Sequence, residues 1–336
     1  MRSYNARIAK KLGDPRFGLP QNRWFARAAS LGIALALDAV LGEAPSKIHP
    51  VALYGKAMNV AEEILWTDTL GGGARYLGVG TGVALLAAWI SRGFSGDVIG
   101  AYTALGRRSL IEHALAVKSS LELGDLGAAR KSVAMIVGRD TEELDESRIA
   151  AAVIESLAES FNDAIAATLT YANFFGASGA LVHRGVNTLD SMVGHRDLRY
   201  DRFGWASARL DDALGYVPAR LGAAAIAMGA KGRWREVLSS AARQAKAHPS
   251  PNAGLLEATM AFKLGVSLGG ELSYNHRVSQ RPKFGPDRAP TTADIDRAIE
   301  AVNGATLRLA GAIITADIAI GLAKSIHLRV RNRAGS

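Results

Sequence analysis

Four polar side chains between residues 155 and 163 have the types and spacing to hold a cation or move a proton. Glu155, Glu159, Asn162 and Asp163 stand at offsets 0, +4, +7 and +8. At 3.6 residues per turn they fall within an arc of roughly 100° on one helix face. The other faces carry Ile149, Val153, Ile154, Leu157, Phe161, Ile165 and Leu169. Carboxylates on so apolar a helix repel one another and need a cation, a proton or water beside them. Ala152 and Ala166 extend the stripe where Lys or Arg partners would otherwise be expected. The pattern points to a divalent site of hard oxygens, magnesium in kind, with one or two direct carboxylates and water or phosphate oxygens besides. The bland alternative is the solvated face of an amphipathic helix. The chain has no cysteine, so disulfides and thiolate metal sites are excluded, and oxygen or imidazole ligands remain.

Further clusters follow. Asn187-Thr188-Leu189-Asp190 reads either as a helix N-cap with its capping box or as part of a site. His183-Arg184 before it and His195-Arg196 after it would add positive charge near that helix start, where phosphates bind well. Arg209-Leu210-Asp211-Asp212 reads as a surface helix start with a favourable dipole, or as an anion- and cation-binding pair. Adjacent aspartates point in different directions, so at most one reaches a common point with Arg209. His248-Pro249-Ser250-Pro251-Asn252 is a rigid turn into a helix bearing Glu257, with Ser250 or Asn252 as cap. Gly138-Arg139-Asp140-Thr141 closes one helix and opens another, with Asp140 and Glu143 as a cap pair and Arg139 free for an anion. Asp38 and Asp317 lie within apolar runs, where a carboxylate is a functional suspect. His49-Pro50 follows the first run. No Walker loop, dinucleotide fingerprint or Gly-x-Ser-x-Gly elbow is present.

The elements that position these groups are expected to be almost all helices, because 3.6-residue periodicity dominates and strand alternation is scarce. Residues 1–27 read as a polar N-terminal arm and 28–330 as a single helical domain. Hydrophobic residues reach 49% and mean hydropathy +0.08, between a soluble enzyme and a dense membrane bundle. The expected spans are Ala28–Leu41, Tyr76–Ile90, Arg220–Ala230 with its upstream turn, and Leu307–Ala323, four in all. The rival is a soluble bundle with these helices buried. Tyr102–Leu123 and Leu126–Val137 read as a helical hairpin around Gly124-Asp125. Asp145 reads as the cap of the acidic helix, and Thr292 as the cap of a long helix to about Ile326, after a polar loop with three prolines at 275–292. The net charge is +9, with basic residues near both ends. Under the positive-inside tendency this puts both termini in the cytoplasm. No RNA-binding motif or interleaved aromatics accompany the charge, so no nucleic-acid partner is expected.

Taken in order, these segments resemble the CobD/CbiB family of cobalamin biosynthesis proteins, the adenosylcobinamide-phosphate synthases. The markers are Asp38 through His49-Pro50-Val51, Arg108-Ser109-Leu110 with His113-Ala114, Gly138-Arg139-Asp140-Thr141 and Glu155-Ser156-x-Ala158-Glu159. Asn187 through Met192, Phe203-Gly204, Ala208 through Asp212, Pro218 through Leu221 and His248-x-Ser250-Pro251-Asn252 with Glu257 complete the order. The resemblance implies an all-α, multi-pass inner-membrane bundle with amphipathic and cytoplasmic helices. It implies an ATP-dependent ligase that joins adenosylcobyric acid to aminopropanol or its O-phosphate through an amide. It also implies contact with the lipid bilayer and with other cobalamin-assembly enzymes. ATP and Mg2+ are the expected cofactors. Glu155, Glu159, Asp163 and Asp190 are the expected catalytic residues, with Glu159 and Asp163 on the metal. Asp38, His49, Arg139, Asp140, Asn187, Arg209, Asp211, Asp212, His248, Ser250, Asn252 and Glu257 are expected to bind substrate or ATP. The family usually reads Ala-Glu-Asn, Asp-Gly and Ala-Pro-Leu where this chain has Ala158-Glu159-Ser160, Asp163-Ala164 and Ala167-Thr168-Leu169. The rival on the same scaffold is a non-catalytic membrane corrinoid-binding or sensor protein.

Overall fold

Asp145 accepts a hydrogen bond from Arg148 N at 2.8 Å, as a helix cap should, and starts the helix around which the rest packs. The structure is a computed structural model that describes residues 22–195, 198–274 and 277–334. Its helices are α1 (Asn22–Leu41), α2 (Pro50–Leu65), α3 (Leu70–Ile90), α4 (Phe94–Ala104), α5 (Arg107–Glu122) and α6 (Leu126–Val133). They continue as α7 (Glu146–Phe161), a π-helical turn (Asn162–Ala166), α8 (Ala167–Phe175), α9 (Ala177–Val193), α10 (Trp205–Ala227), α11 (Trp234–Gln244), α12 (Ala253–Leu264) and α13 (Thr292–Ala334). One antiparallel hairpin, β1 (Glu271–Tyr274) and β2 (Arg277–Gln280), pairs Glu271 with Gln280. The protein is all-α.

Helix α7 is apolar on most of its surface because it is central. Ile149, Val153, Ile154, Leu157 and Phe161 are fully buried against α5, α12 and α13. Each such side chain contributes about 1.5–3 kcal/mol by leaving water. A smaller core of Met58, Tyr76, Leu189, Val193 and Phe203 joins α2, α3 and α9.

Three helices are long and apolar enough to cross a membrane: Arg23–Leu41, Leu70–Ile90 and Thr292–His327. Around them Ile33, Val79, Leu86, Trp89, Ile318 and Leu322 are exposed, an uncovered apolar flank that suits lipid. The chain is a helical membrane protein.

Several expected boundaries are corrected. Most of the N-terminal arm lies outside the described residues, and 22–27 belong to α1. The expected Tyr76–Ile90 span starts earlier, at Leu70 under a Thr69 cap, and Gly73 lies inside it where any Cβ would strike the Phe203 carbonyl. Residues 102–123 divide into α4 and α5 at Leu105-Gly106. The fourth expected span, 220–230, overlaps the end of α10, whose last turns are mostly buried, and is not among the three long apolar helices. Thr291, not Thr292, caps α13 through Asp294.

Candidate active site

Two stretches expected to begin helices lie inside them, and this builds the site. Asn187 is buried in mid-α9 and is no N-cap. Its amide donates to Asp211 Oδ1 at 3.3 Å, and its carbonyl accepts from Arg184 Nη1 at 3.4 Å. Asp211 and Asp212 sit in the second turn of α10, not at a surface helix start. They diverge as adjacent helical residues must. Asp211 faces α9, and Asp212 Oδ1 accepts from Ser250 Oγ at 3.2 Å.

The π turn delivers the next group. Its wider backbone sets Asn162 beside Asp163, with Nδ2 donating to Asp163 Oδ1 at 3.0 Å. Two turns earlier, Glu155 Oε2 pairs with Arg139 Nη2 at 2.5 Å, and Oε1 accepts from Gly269 N at 2.7 Å. Arg139 is therefore engaged rather than free, a correction to its expected availability. Gly269 can aim its N–H there because φ is +77° and a Cβ would strike the Pro282 carbonyl.

The 248–252 turn closes the wall. Ser250 Oγ caps α12 by accepting from Asn252 N and Ala253 N, both at 3.3 Å, while Asn252 makes no side-chain cap. Asn252 instead donates to the Asp212 carbonyl at 2.8 Å and accepts from Arg220 at 2.9 Å. His248 Nε2 lies 2.9 Å from Arg281 Nη1 and must accept there. Its Nδ1 stands 3.0 Å from the Ser250 carbonyl and 3.1 Å from the Ser250 amide nitrogen, which anchors the ring to the turn. Burial, with Arg281 beside it, holds His248 below its ordinary pKa.

Seven carboxylates thus influence one another across one cleft: Glu155, Glu159, Asp163, Asp190, Asp211, Asp212 and Glu257. Glu159 is exposed to solvent on the helix face it shares with Glu155 and Asp163. Desolvation, reinforced by Asp163, pushes its pKa up to about 7, against the pull of Arg281. Asp190 rises to about 6 through desolvation and the charges of Asp163 and Asp212. Asp211 and Glu257 are also raised by desolvation and by neighbouring acids. Asp163 is raised by desolvation too, although Asn162, Asn187 and Arg184 oppose the shift.

The donor set is all oxygen, which fits a hard divalent cation. Among the described residues no group of three or more His, Asp or Glu converges closely enough to form a cage by itself. Asn162 Oδ1, Arg139 Nε and Arg184 Nε are buried without hydrogen-bond partners, as walls awaiting a polar ligand would be. Together these fit a cation that keeps water and substrate oxygens as its other ligands.

Beside the cleft lies a cavity of about 490 Å³ between the α1–α2 loop, α2 and α9. Its polar lining includes Glu43, His49, Lys56, Asn59, Arg184 and Thr188. Burial, with Arg184 nearby, lowers the His49 pKa against the opposing charge of Glu43. Arg184 belongs to both cavity and cleft.

Not every expected residue joins them. Asp38 is buried on α1 and pairs with Arg107 at 3.4 Å. Arg209 is exposed, and two residues' spacing turns it away from Asp211. Asp140 is half-buried in the turn before α7, where Thr141 N donates to Glu142, so the expected Asp140–Glu143 cap pair does not start that helix. Arg196 lies outside the described residues. The residues missing from the expected set are Arg184, Arg220, Arg281 and the Gly269 N–H. The Gly269-Gly270 pair before a basic segment was the available signal for the last two.

Comparison with known proteins agrees with this architecture. A family profile described as CobD/Cbib protein matches residues 31–302. "Cobalamin biosynthesis protein CobD" of Stutzerimonas stutzeri (strain A1501) is 42% identical over 280 residues, covering 80% of this chain and 91% of that protein. The protein of that name from Chromobacterium violaceum is 41% identical over 312 residues, 88% of this chain and 98% of its own. That from Mycobacterium tuberculosis (strain ATCC 25618 / H37Rv) is 40% identical over 286 residues, 82% and 91% respectively. No solved structure matches. With a family profile spanning most of the fold, and relatives aligned along nearly their whole length, the chain belongs to the CobD/Cbib family.

Proposed function

We propose that this protein acts in cobalamin biosynthesis as a membrane-bound, ATP- and magnesium-dependent ligase. It would join adenosylcobyric acid to aminopropanol or aminopropanol O-phosphate, giving adenosylcobinamide or its phosphate. The relatives' shared name supports the pathway. The observation that carries the chemistry is the cleft itself, where seven carboxylates face three arginines, Arg139, Arg184 and Arg281.

A carboxylate is a poor acyl donor, so its oxygen would first attack a phosphorus of ATP, releasing ADP or pyrophosphate. The amine would then attack the acyl carbon, form the amide and expel phosphate or AMP. Magnesium, held by Glu159 and Asp163, would supply neutralisation of the nucleotide's phosphate charge. Arg184 would meet phosphate oxygens through its unpartnered edge. Asn187, itself tied to Asp211, holds Asp163 and Arg184 in place. Asp190, titrating near neutrality, is the base for the proton shed by the attacking ammonium. The small cavity suits the amino alcohol, with Lys56 and His49 toward a phosphate and Glu43 toward an ammonium. A corrinoid is far larger and would lie across the open cleft.

Membranes carrying the protein should convert adenosylcobyric acid, aminopropanol phosphate and ATP to the corrinoid amide, with magnesium required. Product at the background rate at every magnesium level would contradict the ligase. Tight corrinoid binding without turnover would instead make it a binding or sensor protein.

A further inference from the structure

We infer that an aromatic and basic girdle at one end of the long helices marks one membrane face. The acidic cleft opens at the other face, so the described ends of the chain and the cleft lie on opposite sides of the bilayer. The order of contacts along α1 and α13 carries this. At one end Gly321 packs on the Phe25 ring, and Lys324 Nζ lies 4.9 Å from the centre of the Trp24 ring. At the other, Arg107 pairs with Asp38 at 3.4 Å and donates to Asn303 at 2.6 Å. The two helices are antiparallel, with the start of α1 beside the far part of α13.

Two turns reach the first level. Arg27 Nη2 donates to the Phe174 carbonyl at 2.9 Å, and Ala177 N donates to Asp97 at 2.7 Å. The α8–α9 turn and the α3–α4 turn therefore stand together with the start of α1. Their tips expose Trp89, Phe94, Phe174 and Phe175. Arg92 lies 5.7 Å from the Trp89 ring, while Arg23 and Arg27 lie 5.0 and 5.6 Å from that of Trp24. Amphipathic rings beside cations suit the headgroup layer, where the ring meets lipid ester and the cation meets phosphate. The flank leading away from them is the exposed apolar surface of α1, α3 and α13. From Arg23 to Leu41 helix α1 rises about 27 Å, close to a hydrocarbon core of about 30 Å. A bilayer is the one partner that accounts for girdle, flank and length together.

The second level leads into the cleft. Gly106 packs beside Glu43 and Arg184, which line the small cavity. Helix α5 then leads farther off, since Lys118 pairs with Asp296 at 2.9 Å, seven residues before Asn303 on α13. The absolute sense rests on the proposed function: ATP is cytoplasmic, so the cleft faces the cytoplasm and the girdle faces outward. This reverses the side that the positive-inside tendency assigns to the ends.

The cysteine-free chain allows a direct test. Single variants Ser95→Cys at the girdle and Ser119→Cys on α5 place thiols at exposed sites. Both should react with a membrane-impermeant maleimide after detergent solubilisation. Ser95→Cys should react in intact spheroplasts and Ser119→Cys only in inverted vesicles, each at least tenfold faster than from the opposite side. Labelling of both from the same side, or of Ser95→Cys from neither, would overturn the inference. Opposite labelling in the reverse sense would uphold it and defeat the ATP reading instead.

Discussion

Glu159 keeps its proton to about pH 7 because it is poorly solvated and faces Asp163, Glu155 and Asp190. In the unfolded chain the same carboxyl ionises near 4.5. Below about pH 4.5 both states hold the proton and folding is not penalised. Between about 4.5 and 7 the unfolded state releases it first, so stability falls as pH rises through that window. Magnesium-free protein in detergent should therefore melt at lower temperature at pH 8 than at pH 5. Glu159→Gln should melt above wild type at pH 8 and with it at pH 4, by differential scanning fluorimetry; equal melting at both pH values would show that ionised Glu159 is not strained. Asp163→Asn should cut turnover at least a hundredfold while the protein still inserts and keeps its helical circular dichroism. Wild-type rates in that variant would remove Asp163 from the cation's shell. Of these residues the acidic stripe was legible from spacing alone, because helical periodicity fixes which side chains share a face. Arg281 was not, because nothing local separates it from solvated arginines until distant segments converge.

Elements show where local signals mislead. Asn187 and Asp190 have the spacing of a capping box, yet α9 begins ten residues before Asn187 because Gly176, at φ +65°, starts it. The cap-like pair is then free to form the α9–α10 contact. Asn187→Ala removes the bridge between Arg184 and Asp211. It should destabilise by about 1–3 kcal/mol, since it leaves buried polar groups unpaired, and should lower turnover. Full activity with an unchanged melting temperature would contradict the bridging role. The π turn was likewise invisible: an extra residue per turn has no composition signature, and Thr168 just after it ties α8 to the Ala104 carbonyl at 3.1 Å. Gly269→Ala tests the hairpin's part. Its Cβ would push Pro282 aside and withdraw the N–H from Glu155, so turnover should fall at least tenfold, and KM for ATP should rise if Glu155 orients the nucleotide site.

For the whole molecule, fold class and membrane character were readable from the chain because apolar run length is a one-dimensional property. The place of residues 220–230 was not, since α10 packs on α12 and α9 while its acids serve the cleft. Nor was the geometry that sets the chain ends opposite the cleft, which depends on α1 and α13 running antiparallel. Carbonate at pH 11 should leave the protein in the membrane pellet; release into the supernatant would defeat the bilayer reading.

The most direct measurement replaces magnesium by manganese and follows the free ion by electron paramagnetic resonance with purified protein in detergent. Wild type should take up manganese in the presence of ATP, with Glu159→Gln and Asp163→Asn each weakening that uptake at least tenfold. Equal uptake by wild type and both variants would contradict a nucleotide-bound cation held by these two acids.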